Sequence, residues 1–203
     1  GFMSSDGGLE DTSESLGLPA TADLMFALIS TEELEEQNQI RAEMEADPVR
    51  FVERKAFSLM VDASNNLSEF LNADPNGMTF CQNATSGVNT VLRSLVLNPG
   101  DEIIVPNHSY QACWNAVDFV ASRWSAKVVI VELPFRCETE EEIIEPLLEA
   151  ITPRTVLAMI DTVTSPTALR TPFEPLVDEF QSRGVDVLPD AAPGPGLVSL
   201  ELS

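Results

Sequence analysis

The sequence has little positive charge. Its 203 residues include 11 lysines and arginines against 33 aspartates and glutamates, so the formal net charge is −22. A protein that follows nucleic-acid phosphates needs a basic face, and docking on an anionic membrane surface needs basic clusters. The composition therefore excludes nucleic acid and membrane surfaces as partners, and it is compatible with a soluble acidic protein.

Long apolar runs and paired cysteines are also missing. No run approaches the length of about 18 residues that spans a bilayer, and the N-terminus is acidic, so we expect neither a transmembrane helix nor a secretory signal. Cys81, Cys113 and Cys137 are an odd number without a CxxC spacing, which predicts no disulfide framework and no metal site. We expect each cysteine to be a small buried hydrophobe, in a reducing cytoplasm.

The first 77 residues divide into two parts. Residues 1–20 are predicted to be a tag remnant before the true Met3, followed by a disordered acidic lead that has too few apolar side chains to fold. Residues 21–77 are predicted to be a helical segment. Thr31 begins a helix that continues to about Ala46, and the Asp47-Pro48 pair begins a second helix.

From residue 78 onward, short apolar runs alternate with helical patterns. Strands are predicted at 78–81, 102–106, 128–133, 156–160 and 185–189, and helices at 86–97, 109–123, 139–150 and 173–183. This alternation indicates an α/β fold with a mostly parallel sheet. Ligands bind at the carboxyl ends of the strands in such sheets, so the loops after the strands hold the candidate site.

Two of these loops suggest an anion and a planar ligand. Ala84, Thr85 and Ser86 lie where a strand turns into a helix, and amides, hydroxyls and the helix dipole can cradle a phosphate there. A simple helix cap is the alternative. Tyr110 can stack on a planar ligand or close the sheet edge, whereas His108 is expected to face solvent or the core rather than act in catalysis.

Two later loops add polar groups. Ser165 belongs to a hydroxyl-rich stretch that can reach a ligand oxygen or form a local turn before proline. Asp190 ends an apolar strand, where a carboxylate needs a cationic partner such as a ring nitrogen. Ala192 is small enough to lie against such a ring. For Asp190, a helix or turn cap is the alternative.

Four motifs follow one another along the chain: FCQNATSG, PNHSYQAC, IDTVTSPTA and VLPDAAPGPG. Together with the segments between them, they resemble the class V aminotransferase group of pyridoxal 5′-phosphate (PLP) enzymes. The similarity is to the isopenicillin-N-epimerase-like branch, from about Asp47 to Leu200. It implies a three-layer α/β sandwich, the large domain of aspartate-aminotransferase-type (fold type I) enzymes. It also implies PLP as cofactor, a homodimer, and an amino-acid substrate processed through an external aldimine by transamination, epimerisation or lyase chemistry.

The resemblance assigns the phosphate and one face of the cofactor ring to the first two loops. Ala84, Thr85 and Ser86 match the turn that cradles the phosphate. Tyr110 matches the aromatic residue that stacks on the pyridine ring.

The remaining roles fall on the two later loops. Ser165 matches the polar residue near the phenolic oxygen, and Asp190 matches the acid that pairs with the pyridinium nitrogen. Ala192 matches the small residue on the opposite ring face. The chain departs from the family at Pro193, where His or Gln is usual, and at Ala168, where glycine is common.

The family's Schiff-base lysine has no counterpart in these residues. The two lysines, Lys55 and Lys127, stand elsewhere, and the chain ends 13 residues after Asp190. We therefore expect residues 78–203 to be a partial PLP-binding domain without the C-terminal half and the small domain, with impaired catalysis and no identifiable catalytic residue. The alternatives are a non-catalytic truncated homologue that serves as a binding or dimeric scaffold, and an incomplete gene product.

Overall fold

The computed structural model describes residues 31–198, which divide between Thr79 and Phe80 into two compact units. The predicted acidic lead lies outside the described residues. The first unit is helical and contains α1 (Thr31–Ala46), α2 (Pro48–Phe51), a π-helical turn (Val52–Ala56), α3 (Phe57–Phe70) and a 3-10 turn (Pro75–Gly77).

The predicted cap between the first two helices is confirmed. The Asp47 side chain accepts a hydrogen bond from the Arg50 amide at 3.1 Å, and Pro48 is the first residue of α2. Proline suits this position because its missing N–H would have no acceptor inside the helix. Throughout the part of the chain that the structure describes, no helix is both long enough and apolar enough to cross a membrane.

The second unit alternates helices and strands as the sequence predicts. Its four strands form one parallel sheet in the order β2-β1-β3-β4. The elements, in chain order, are α4 (Ala84–Ser94), β1 (Glu102–Pro106), α5 (Gln111–Trp124), β2 (Lys127–Val131), α6 (Glu141–Glu149), β3 (Thr155–Asp161), α7 (Phe173–Ser182) and β4 (Asp186–Asp190).

The strand predicted at Met78–Cys81 is wrong. Met78 has an extended backbone, but residues 78–81 pair with no strand among those that the structure describes. Phe80 is 49 % exposed, so the run does not cross the core. A strand exists only where a neighbour satisfies its backbone hydrogen bonds, and an apolar run cannot supply that neighbour by itself.

Helices cover both faces of the sheet and make three layers. Alternate residues of the central strands point to opposite faces because side chains alternate along a strand. Ile103, Val105 and Met159 pack against α4 and α5, whereas Ile104 and Ile160 pack against α6 and α7. Both faces of β1 and β3 are therefore buried, which explains their continuous apolar sequences.

The strand order creates a switch point between β1 and β3. From β1 the chain runs through α5 to β2 on one side, and then returns past β1 to β3 and β4 on the other side. The helices that follow β1 and β3 consequently lie on opposite faces of the sheet. Loops that diverge in this way leave a crevice at the carboxyl ends of the strands, where ligands bind in open α/β sheets.

Candidate functional site

Two buried carboxylates end neighbouring strands at this edge. Asp161 is the last residue of β3, Asp190 is the last residue of β4, and the two are partners in the sheet register. They are 3 % and 5 % exposed. Within residues 31–198, neither has a lysine, arginine or histidine nitrogen within 4.0 Å. Because register partners lie about 4.8 Å apart on the same side of a sheet, this edge concentrates negative charge.

Asp190 is held by two neutral donors. The thiol of Cys113, in the first turn of α5, donates to Oδ2 at 3.2 Å, and the Ala192 amide donates to Oδ1 at 3.1 Å. Burial and Asp190 raise the pKa of Cys113 to about 12, an effect that the Thr85 side chain partly opposes. The thiol therefore stays protonated and remains a donor. Because Thr85 belongs to α4 and Cys113 to α5, their contact also shows that the two helices meet beside Asp190.

The expectation that every cysteine is a small buried hydrophobe is wrong in part. Cys81 is exposed and Cys137 is only partly buried. Cys113 is buried, but its thiol makes a polar contact that the sequence did not reveal. The contact joins residues 77 positions apart, so no local sequence signal could have shown it.

Asp161 is a site residue that the sequence analysis did not single out. Its Oδ2 accepts the Tyr110 amide at 3.0 Å, and its Oδ1 is buried without a hydrogen-bond partner in the described chain. Burial, and then the negative charge of Asp190, raise the pKa of Asp161 to about 7, against the opposing effect of the Tyr110 amide. The sequence did contain a signal for Asp161, because this acid ends an apolar run that forms a buried strand. The same signal identified Asp190.

Tyr110 stands directly before α5, beside the switch point. Its backbone is fixed by Asp161, while its side chain is 43 % exposed. The ring is therefore anchored at its base and presents much of its surface outside the core. This placement leaves the ring available to a planar ligand.

The N-terminus of α4 combines a helix cap with free donors. Asn83 Oδ1 accepts the Ser86 amide at 2.8 Å, and the Asn83 carbonyl accepts the Gly87 amide at 3.1 Å. The amides of Ala84 and Thr85 have no acceptor among the described residues. The cap interpretation is thus correct for Asn83, and two amides of the predicted phosphate turn remain for an anion.

Hydrogen bonds between side chains join the loop after β1 to the loop after β3. Thr164 Oγ1 accepts the Leu169 amide at 2.9 Å, Thr164 and Thr167 hydroxyls lie 2.6 Å apart, and Thr167 Oγ1 lies 3.3 Å from Nδ1 of His108. His108 is 6 % exposed, which agrees with the core role. Ser165 stays exposed near the tip of the same loop. The neighbouring threonines form the hydrogen bonds of this loop, and the ligand role of Ser165 stays a prediction.

All seven predicted site residues lie in the second unit, at the start of α4, at the end of β4 or on loops at the carboxyl edge of the sheet. The structure joins Asp190 directly to Ala192, and it links Tyr110 and Thr85 to the acidic pair through Asp161 and Cys113. Across residues 31–198, no group of three or more His, Cys, Asp or Glu side chains could hold a metal ion. The arrangement combines two buried acids, free amides and an aromatic ring, groups that can bind an organic ligand.

The sequence is similar to two epimerases. It is 31 % identical to the isopenicillin N epimerase of Streptomyces clavuligerus over 80 % of this chain and 41 % of that protein. It is 32 % identical to the isopenicillin N epimerase of Amycolatopsis lactamdurans over 81 % of this chain and 42 % of that protein.

The fold is similar to that of the cystine C–S lyase C-DES, solved with glycine covalently linked to its PLP cofactor. The TM-score is 0.74 at 20 % identity, over 86 % of this chain and 47 % of that chain. This likeness confirms the predicted fold class, a mostly parallel α/β sheet of the fold type I large domain.

The chain spans less than half the length of each of these relatives. The sequence model of the family described as "Aminotransferase class-V" matches residues 18–200, which is most of the chain. Together with the ordered motifs and the fold, this match shows that the chain belongs to the class V aminotransferase family.

Proposed function

We propose that residues 80–198 bind PLP and that the whole protein is a PLP-dependent enzyme acting on an amino acid. One observation carries the proposal. Asp190 is a buried carboxylate with two neutral donors and, within the described residues, no cationic partner. Because burying a charge without a counter-charge is costly, a cationic ring nitrogen at Asp190 would supply what the protein does not.

The residues around Asp190 fit such a cofactor. The free amides of Ala84 and Thr85 suit its phosphate, since neutral amides at a helix N-terminus can bind an anion even in a strongly acidic chain. The Tyr110 ring suits one face of the pyridine and Ala192 the other. Ser165 is the hydroxyl that we assign to the phenolic oxygen.

When bound, PLP supplies an electron sink for the carbanion that forms at the substrate's α-carbon. The chain's own residues orient and tune that ring. Asp190 would hold the ring nitrogen in its protonated form, which would increase the electron demand of the ring. Cys113 and the Ala192 amide hold Asp190 in one orientation, so that its carboxylate does not have to reorganise.

We also propose that the 203-residue chain by itself has impaired catalysis. Lys127 is the only lysine between residues 80 and 198, and it begins β2 at the edge opposite the site, about 13 Å along the strand from the carboxyl end. Lys55 lies in the first unit, paired with Glu43. Within the described part of the second unit, no lysine therefore lies beside Asp190 for covalent attachment or for proton transfer.

The relatives suggest the reaction classes that the whole protein carries out. Two are epimerases of isopenicillin N, and one is a cystine C–S lyase. We propose transamination, epimerisation or lyase chemistry at the α- or β-carbon of an amino acid. We also propose a cytoplasmic location, because the described cysteines are all free thiols.

A binding titration tests the cofactor proposal. PLP is added to the 203-residue chain and followed by its absorbance, with Asp190→Asn as the test variant. Asp186→Asn is the matched control, since Asp186 is exposed at the other end of β4. We expect saturable binding to the native chain and the control, and binding weaker by about tenfold or more in Asp190→Asn. Absence of binding to the native chain, or equal binding by all three proteins, refutes the proposal.

Borohydride reduction tests the statement about catalysis. The PLP-treated chain is reduced and its peptides are analysed by mass spectrometry. We expect no pyridoxyl group at one defined lysine and no turnover of amino acids. A single modified lysine together with turnover would show that the chain is a competent enzyme.

A non-catalytic dimeric scaffold is the second candidate function. Large apolar side chains that are exposed on the first unit favour it, because such side chains occur at interaction sites. Val49, Phe57 and Phe70 are each more than 60 % exposed. In sedimentation velocity, a dimer that lacks affinity for PLP and dissociates in Phe57→Ser supports the scaffold, whereas PLP binding by the same dimer favours the enzyme.

A further inference from the structure

The acidic pair at the ends of β3 and β4 is unequally supplied with hydrogen-bond donors. Both oxygens of Asp190 accept a hydrogen bond, from Cys113 and from the Ala192 amide. Asp161 accepts the Tyr110 amide at Oδ2, and its Oδ1 is buried without a hydrogen bond in the described chain, although the Ser109 hydroxyl lies close enough to oppose the rise of its pKa. Donors stabilise an ionised carboxylate, so the pair favours charge on Asp190 over charge on Asp161.

Two buried carboxylates on adjacent strands do not both ionise readily, since each raises the cost of the other's charge. Oδ1 of Asp161 accepts no hydrogen bond, so we expect the shared proton to be on this oxygen. The raised pKa of Asp161, about 7, agrees with this geometry. We therefore assign the proton of the pair to Asp161.

We propose that Asp161 is a positioning residue that stores a proton while Asp190 lacks a cationic partner and releases it to solvent when a cationic ring nitrogen pairs with Asp190. The second half of this inference rests on the proposed function. Ionised Asp161 also accepts the Tyr110 amide more strongly than the neutral acid does. Arrival of the ring cation would therefore tighten the turn that carries the aromatic ring.

The other groups around Asp161 do not supply the missing positive charge. On β4 it faces Asp190, and on α5 it faces the thiol of Cys113, whose pKa of about 12 keeps it neutral. The loop before α5 presents the Tyr110 amide and the Ser109 hydroxyl. None of these groups is a cation. Burial contributes most to the raised pKa of Asp161 and the charge of Asp190 comes next, so a cation at Asp190 would remove the second contribution and leave the first.

Infrared spectroscopy of the ligand-free chain tests the stored proton. With aspartate labelled by carbon-13 at the side-chain carboxyl, we expect a protonated-carboxyl band near pH 6 that disappears by about pH 9. The band should be missing in Asp161→Asn and present in the control Asp186→Asn. A spectrum near pH 6 in which the native chain and Asp161→Asn do not differ overturns the proposal.

Asp190→Asn tests the coupling without any cofactor. This variant keeps a side chain of similar shape and removes the neighbouring negative charge. We expect the midpoint of the Asp161 band to fall by on the order of one to two pH units. An unchanged midpoint would show that Asp161 is insensitive to charge at Asp190, and the coupling would be wrong.

A third experiment compares the Asp161 band in the presence of PLP with the band in the presence of an analogue whose ring nitrogen is replaced by carbon. PLP should lower the midpoint of the Asp161 band by about as much as Asp190→Asn does and so weaken the band near pH 6, and the analogue, which carries no ring cation, should leave the midpoint unchanged. If PLP binds and the midpoint of the band does not fall, proton release is wrong. If PLP does not bind, the proposed function fails, while the Asp190→Asn measurement still decides whether the two acids are coupled.

Discussion

Replacing Asp161 by asparagine should stabilise the protein at neutral pH. The structure places this carboxyl at 3 % exposure beside Asp190, and the combination raises its pKa from 3.8 to about 7. Asparagine has nearly the same shape, keeps an oxygen that can accept the Tyr110 amide, and carries no charge. Its amide group can also donate to the Asp190 carboxylate.

The magnitude and its pH dependence follow from linkage. An acid whose pKa is raised on folding contributes its full stability below the unfolded pKa of 3.8 and loses it as the pH rises through about 7. Each unit corresponds to about 1.4 kcal/mol, so the native chain loses at most about 4 kcal/mol by pH 7 and less than half of that by pH 5. The advantage of Asp161→Asn should therefore grow with pH across this interval.

Urea unfolding at pH 5 and pH 7 measures this difference. At a slope of about 2 kcal/mol per molar urea, the full effect moves the midpoint by about 2 M at pH 7. Asp186→Asn controls for the loss of one negative charge from a chain of net −22, since Asp186 is exposed. If Asp161→Asn and the native chain differ equally at both pH values, the electrostatic reasoning about the buried pair is refuted.

Three further predictions concern the loops and the thiols. Ala168 has a left-handed backbone with φ of 51°, a conformation that glycine adopts without strain. Ala168→Gly should therefore stabilise the chain by about 1 kcal/mol and raise Tm by about 2–4 °C. An unchanged or lower Tm would contradict the prediction. Asn83→Ala removes the acceptor for the Ser86 amide and should lower the free energy of unfolding by about 1 kcal/mol in a urea titration. A thiol reagent at pH 8 should modify exposed Cys81 in the folded protein and reach Cys113 only after unfolding, because Cys113 is fully buried with a pKa of about 12. Peptide mapping that finds both cysteines modified at similar rates would show that the interior of the site opens.

Much of the fold was predictable because local and non-local preferences agree. The apolar runs of β1 and β3 are buried on both faces and lie within a residue of the predicted bounds. The helices between the strands also begin and end within a few residues of prediction. The run at Met78–Cys81 looks the same in sequence, but no described strand pairs with it. Pairing depends on a distant partner, and a single run cannot reveal whether that partner is present.

The sequence by itself determined the family, the order of the loops and the identity of Asp190, because motifs of consecutive residues carry that information. It did not reveal that Asp161 stands beside Asp190, that the Cys113 thiol orients Asp190, or that Asp161 holds the Tyr110 amide. These contacts join residues 29, 77 and 51 positions apart. Only the parallel register of β3 and β4 and the packing of α5 against the sheet bring them together. Burial in that arrangement then decides their protonation, since the cost of a charge depends on the neighbours that the tertiary structure supplies.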